Sequence, residues 1–430
     1  MASRATTACL HLLLLLLISG NAVSHWIVKT LPGYPGDLPF TLETGYITVG
    51  NVEFFYYFVE SEGNPAADPL LLYYNGGPGC SGLNGFFYQI GPLKFDIRGY
   101  AGGLPSLMYE PNAWSKTASI IFLDGPVGAG FSYATTQEAW NSTDTLWAAQ
   151  TDEFLRNWLG EHPDFRDNPV FLGSDSYAGI GYSIGCPHTN TVLETNTRIP
   201  FAHRMALITD AMYEAAKTSC QGNYAYPTNA DCTEALAAIT ECTQLVSEAM
   251  ILEPNCALVS PNLKEERARS LRENSHNFIP PSLRTGDFWC KKFDYVLSVI
   301  WGNYRSVQDA LHVRPGTVKE FFRCNLTLEY TPDVNDAVPY HRNLTDSGLQ
   351  ILVFSGDHDM AITHIGTEDW IYSLDLTVDS DWRPWFVDGQ VAGYTMKFTN
   401  NGYRLTYATL KARRNFLNFQ WIDLINELFY

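Results

Sequence analysis

Four short apolar runs, each ending in a loop of small and polar residues, constrain the fold of this chain more than any other feature. They are PLLLYYNGGPGCSG (69–82), SIIFLDGPVGAGFSY (119–133), NPVFLGSDSYAG (168–179) and LQILVFSGDHDM (349–360). A strand without apolar/polar alternation is covered on both faces, which is the habit of a largely parallel sheet flanked by helices. Helix-like stretches such as Trp147–Leu159 separate the runs. Upstream, TLETGYITVG and VEFFYYFVES read as antiparallel strands, rich in β-branched and aromatic residues. The expected fold class is therefore α/β, a mixed sheet with helices on both faces.

Three of the loops carry chemistry. In Asn75-Gly76-Gly77-Pro78-Gly79-Cys80-Ser81, successive glycines let backbone N–H groups converge on one point, as an oxyanion hole requires. Taken alone, the loop is equally a Gly-Pro turn. The segment around Ser176 reads as buried strand, tight turn and helix start, the arrangement that presents a nucleophilic serine. A serine in that place also serves as a helix cap. In Gly356-Asp357-His358-Asp359, a carboxylate follows a buried strand, where the acid that orients a catalytic histidine sits. The plain alternative is a surface turn.

The first residues, MASRATTACLHLLLLLLISGNAVS, combine Arg4, an apolar core at Leu10–Ile18 and small residues at Ala22-Val23-Ser24. They read as a secretory signal peptide, 1–24, with too short an apolar run to anchor the chain in a membrane. Sequons at Asn141, Asn325 and Asn343 then read as glycosylation acceptors. Of nine cysteines, eight remain after the signal, and five of those fall between 220 and 290. That region, 200–300, reads as a disulfide-stapled insertion or cap. It divides the core into 25–199 and 301–411 and leaves a tail at 412–430. With 28 Lys+Arg against 46 Asp+Glu, the formal charge is −18, so nucleic acid is not an expected partner. No CxxC or His-x-x-x-His pair suggests a metal site, and no cofactor is expected.

In this order the motifs NGGPGCSG, DGPVGAGFSY, SDSYAG and SGDHDM, followed by WRPWFVDGQVAGYT and NGYRLTYATLK, strongly resemble the serine carboxypeptidase-like family (peptidase family S10) of α/β-hydrolases. The likeness covers most of the chain after the signal and looks closest to the plant branch. That branch includes peptidases and acyltransferases that take glucose esters as acyl donors. The resemblance implies Ser176 as nucleophile, Asp359 as orienting acid, and the N–H groups of Gly77 and Tyr177 as oxyanion donors. It implies Asn75, Gly76 and Asp175 as substrate-binding residues. It also implies a Cys80–Cys324 disulfide, with Cys220–Cys232 and Cys256–Cys290 as pairings within the insertion. The residue before the nucleophile is Asp175, as in the acyltransferases, where the peptidases usually have Glu. Asn75 opens the glycine loop as it does in the peptidases. The balance leans to acyl transfer, with an acyl glucose ester or a peptide C-terminus as partner. The expected compartment is the secretory pathway, ending outside the cell or in the vacuole.

The chain departs from the family in three places. The family closes its triad with a histidine in a Gly-Gly-His-type turn soon after the segment matching TYATLK. Here Lys411 is followed by ARRNFLNFQWIDLINELFY, and no histidine occurs after His364. The tail has the spacing of a short amphipathic helix, with Phe416, Leu417, Trp421, Ile422, Ile425 and Leu428 on its apolar positions. Without a base, a serine remains a weak nucleophile, and removing a triad member typically leaves about 10³–10⁴-fold over water. His203, in the insertion, is the substitute base considered. Second, the stretch after Ser176 runs almost directly into Ile184-Gly185-Cys186-Pro187, leaving room for about two turns of helix. About 30 residues of a βαβ unit are absent, so the core is expected to be short of burial. Third, Ser174 and Thr363 stand where the family has Gly and Pro. The expected outcome is a weakly active or inactive chain. The alternatives are a pseudoenzyme that binds a sugar ester or a partner protein, or an unproductive splice or gene-model product.

Overall fold

The computed structural model describes residues 25–177, 183–255, 294–387 and 389–411. A twelve-stranded sheet runs through it. In chain order the strands are β1 (His25–Val28), β2 (Leu42–Val49), β3 (Val52–Val59), β4 (Leu70–Asn75), β5 (Ser119–Leu123), β6 (Tyr133–Ala134), β7 (Val170–Asp175), β8 (Ser183–Gly185), β9 (Gln350–Gly356), β10 (Thr377–Val387), β11 (Gln390–Asn400) and β12 (Tyr403–Leu410). Across the sheet they lie in the order β1-β2-β3-β5-β4-β7-β8-β9-β12-β11-β10, with β6 on β3. The pairs from β5 through β4, β7, β8 and β9 to β12 are parallel. Antiparallel strands flank them on both sides.

Every residue of β3, β4 and β5 is buried, so packing covers both faces of this part of the sheet. On one face lie α1 (Leu83–Tyr88) and α6 (Asp294–Gly302), contributing Phe86, Phe87 and Trp301. On the other lies α2 (Asp144–Glu161), contributing Phe154 and Trp158. Burying each such aromatic contributes on the order of 1.5–3 kcal/mol. Helix α2 extends beyond the expected Trp147–Leu159. It starts at Asp144 because the Thr143 hydroxyl accepts from the Leu146 N–H and caps it.

Three helices, α3 (Thr191–Arg204), α4 (Asp210–Cys220) and α5 (Ala230–Thr243), share an apolar cluster with Met360 and Ile365. A Cys220–Cys232 disulfide joins α4 to α5. The stretch CTEALAAITECTQLVSEAMIL, 232–252, reads as helical from its sequence, but α5 stops at Thr243, and Val246–Ser247 and Met250–Pro254 are strands. Tertiary bonds explain the change. Ile251 N–H donates to His358 O at 3.0 Å, and Met360 N–H donates to Glu248 O at 2.7 Å. Cys256 and Cys290 lie outside the described residues, as does the tail from 412.

Only residues 176–182 connect β7 to β8, its parallel neighbour. Such a crossover ordinarily takes a dozen or more residues with a helix. Val170 pairs with Leu70 in mid-sheet, yet Val170 is 41% exposed and Leu70 is 0%.

Candidate functional site

The C-terminal ends of β4, β7, β8 and β9 bring the predicted residues together. Ser176 follows β7 with φ +65°, a left-handed conformation that costs a non-glycine residue about 1–3 kcal/mol. It is held there from two sides. Its N–H donates to Gly185 O at 2.9 Å, and its carbonyl accepts from His188 N–H at 3.1 Å. The glycine loop after β4 presses against this turn, and Gly76 N–H donates to Asp175 O at 2.9 Å. A Cβ at Gly76 would lie 2.4 Å from Tyr177 N and 2.7 Å from Asp175 O, so only glycine permits the approach. The contact sets the candidate oxyanion donors, Gly77 and Tyr177, on adjoining segments.

The glycine loop is pinned farther along. The structure joins Cys80 to Cys324. Asp124, at the end of β5, accepts from Ser81 Oγ at 2.5 Å, Gly82 N–H at 2.8 Å and Phe131 N–H at 2.8 Å. Burial pushes the Asp124 carboxyl up to about 6 against these bonds.

Beside the turn, a side-chain relay links Asn75 to Asp175 through Gln89, a residue without a sequence signal. Gln89 Nε2 donates to Asp175 Oδ2 at 2.7 Å, and Asn75 Nδ2 and Tyr73 OH each donate to Gln89 Oε1 at 2.8 Å. Asn75 Oδ1 accepts from Gly85 N–H at 2.8 Å. Burial raises the Asp175 carboxyl to about 6, with the Gln89 bond opposing it.

Asp359 lies just past β9. Its Oδ1 accepts from Ala361 N–H at 2.8 Å and Ile362 N–H at 3.0 Å. Cys186 lies beside the carboxyl. Burial lifts Asp359 to about 7, and the nearby Asp175 adds to the rise. The Cys186 thiol is itself pushed well up by burial and then by both carboxylates, so it stays protonated. Cys186 follows β8 directly, and its N–H donates to Phe354 O at 2.8 Å. A Cβ at Gly185 would lie 2.3 Å from the Phe354 ring, which lets β8 sit tightly against β9.

Among the described residues no histidine bonds to Asp359. His358 Nδ1 lies 2.5 Å from Asp357 Oδ1. His364 opens α7 (His364–Ser373), and burial with Arg204 nearby lowers its basicity. His203, the substitute base considered from sequence, lies 2.7 Å from Asp210 and stacks on Tyr213. His188 comes nearest to the elbow and escaped sequence reasoning. Its ring stacks on Tyr177 at 5.1 Å and pairs with Glu194. With Trp147, Leu155 and Leu172 it lines a cavity of about 190 Å³ beside α2.

Of the sequons, Asn141 and Asn343 are exposed. Asn325 is half-buried, and its Nδ2 donates to Gly128 O at 3.0 Å.

A mixed sheet with helices on both faces, a strained serine after a central strand and a carboxylate past the strand two places away define an α/β-hydrolase. The serine carboxypeptidase family (Peptidase_S10) matches residues 32–180 and 180–412. Serine carboxypeptidase-like 7 of Arabidopsis thaliana is 40% identical over 435 aligned positions, covering 94% of this chain and 93% of the relative. Serine carboxypeptidase-like 17 of the same plant is 41% identical, with 93% and 91% covered. The chain belongs to the serine carboxypeptidase family. In fold it is similar to the prohormone-processing carboxypeptidase of Saccharomyces cerevisiae, with a TM-score of 0.63, 17% identity, and 90% and 89% covered. No helix of the described residues is long and apolar enough to cross a membrane.

Proposed function

We propose that this chain is a secretory-pathway member of the family that keeps the substrate-binding and acyl-accepting parts of the site and is weakly active or inactive. The observation that carries the reading is the environment of Asp359. Its carboxyl meets a thiol and two backbone N–H groups, and no imidazole among the described residues reaches it. In a complete triad the histidine takes the serine proton, Ser176 attacks the acyl carbonyl, and the oxyanion rests on the N–H groups of Gly77 and Tyr177. The acyl group then passes to water, giving peptide hydrolysis, or to another hydroxyl, giving acyl transfer from a glucose ester. Asn75, Gly76 and Asp175 are the residues proposed to hold the substrate. Asp175 favours acyl transfer. The 200–300 region is read as a cap, and its bonds to the loop carrying Asp359 suit that role.

A second reading is a pseudoenzyme that binds an ester or a partner protein. It is favoured by the glycine loop, which the Cys80–Cys324 disulfide and Asp124 pin beside an Asp359 that no imidazole of the described residues reaches. The third, an unproductive splice or gene-model product, is favoured by the short crossover at 176–182. The two parts of the family match also meet there, at residue 180.

Fluorophosphonate labelling of the purified secreted protein tests the proposal, with Ser176→Ala as control. No labelling of a cooperatively folded sample is expected. Ser176-dependent labelling at the rate of an active hydrolase refutes inactivity. Failure to secrete any folded protein supports the unproductive product.

A further inference from the structure

Far from Ser176, at the β1 edge of the sheet, two histidines and a glutamate converge from separate parts of the chain. His25 opens β1, Glu43 lies on β2, and His162 follows the last residue of α2. One ligand atom from each lies within 4.8 Å of the other two. We propose that His25, Glu43 and His162 form a binding site for a divalent transition-metal ion of the zinc type.

The argument begins with His162, whose ring is fixed. It stacks on Trp158 with centroids 3.9 Å apart and planes 5° from parallel, and its Nδ1 lies 2.9 Å from the Trp158 carbonyl oxygen. A carbonyl only accepts, so Nδ1 carries the proton. The remaining nitrogen, Nε2, faces Glu43 Oε1 at 2.8 Å. Glu43 Oε1 also accepts from the Tyr56 hydroxyl at 2.6 Å, which holds the carboxylate in place. A nitrogen lone pair and a carboxylate at that distance require a cation. A proton on Nε2 would suffice for these two groups alone.

His25 points beyond the proton. Its Nδ1 is buried and lacks a hydrogen-bond partner. Its ring lies 5.1 Å from that of His162, and Glu161 Oε2 is 3.8 Å from its Nδ1, too far for a hydrogen bond. A proton shared by His162 and Glu43 leaves this nitrogen without a role. A metal ion uses a His25 nitrogen as a third ligand and leaves its fourth position to solvent.

The supporting shell has the form such sites take. A ligating histidine ordinarily donates its other N–H to a carbonyl or carboxylate, and its carboxylate partner is itself hydrogen-bonded. Here Trp158 O and Tyr56 OH fill those two roles. Zinc holds His N and Glu O at about 2.0–2.2 Å in a tetrahedron, which sets donors about 3.3–3.6 Å apart. To reach that size the 2.8 Å pair of His162 and Glu43 opens by about 0.5 Å, and His25 moves in by about 1 Å. His25 can do so, since it lies on the edge strand with its side chain 34% exposed. No sequence spacing announces the site, because its ligands lie on two strands and a helix end.

The test uses the full, tag-free secreted protein, stripped with EDTA and titrated with Zn²⁺ at pH 7.5 against a chromophoric chelator. One tight equivalent per chain is expected. His25→Ala is expected to weaken binding at least tenfold while leaving the unfolding midpoint in EDTA unchanged. Undiminished binding by His25→Ala overturns the proposal, and so does a folded wild-type protein that takes up no stoichiometric zinc. A second readout needs no variant. Co²⁺ bound to the wild-type protein should give the intense visible absorption of a four-coordinate ion. The weak spectrum of a six-coordinate, largely hydrated ion overturns the assignment.

Discussion

The carboxyl of Asp359 makes stability depend on pH in a direction opposite to that of a salt-bridged aspartate. Its ordinary value of 3.8 rises to about 7 in the folded chain. The folded state therefore binds the proton more tightly than the unfolded state does. The resulting stability is fully present below about pH 4 and is lost as pH climbs through about 7. A rise of about 3 units, at about 1.4 kcal/mol each, sets an upper figure of about 4 kcal/mol. Between pH 4.5 and 7.5 about 3 kcal/mol of this develops, less whatever solvent reaches the partly accessible residue. Asp359→Asn removes the titration, and its Oδ1 can still accept from Ala361 and Ile362 N–H. Urea unfolding of both proteins at the two pH values reads the Asp359 titration together with its coupling to Asp175 and Cys186, since the remaining titrating groups are shared. The wild-type protein should lose about 2–3 kcal/mol more than Asp359→Asn on going to pH 7.5. Equal losses would refute the reasoning, since they would mean that the carboxyl is already ionised in the folded state at pH 4.5, as it would be beside an imidazolium.

Three further outcomes are expected. Gly76→Ala forces a Cβ to within 2.4 Å of Tyr177 N; it should lower the unfolding free energy by about 2 kcal/mol or more, and a change within 0.5 kcal/mol in urea unfolding contradicts the packing described. Ser174 Oγ is buried without a partner, so Ser174→Ala should be neutral or stabilising by about 1 kcal/mol, whereas a clear loss in the same assay would reveal a hidden bond. Glycopeptide mass spectrometry of the secreted protein should find Asn141 and Asn343 more fully occupied than Asn325, whose side chain packs against Gly128; full occupancy at Asn325 alone speaks against the description of that loop.

The sequence by itself determined the sheet and the place of its chemistry. The apolar runs at 70–75, 119–123, 170–175 and 350–356 are strands because short uninterrupted apolar runs suit the middle of a covered sheet. Ser176, Asp359 and the glycine loop then fall at one edge, since parallel strands bring all their C-terminal ends to the same side. The shortened crossover was legible too, as a count of residues. Only the tertiary structure decided what fills the site. Gln89 links Asn75 to Asp175, and Cys186 takes the place beside Asp359, through contacts between segments that share no local pattern. The strand at 250–254 was hidden for the same reason. Its sequence favours a helix, and bonds to the loop at 358–361 hold it extended. The His25, Glu43 and His162 cluster likewise follows from sheet order and the end of one helix, because side chains distant in sequence meet only after the strands have paired.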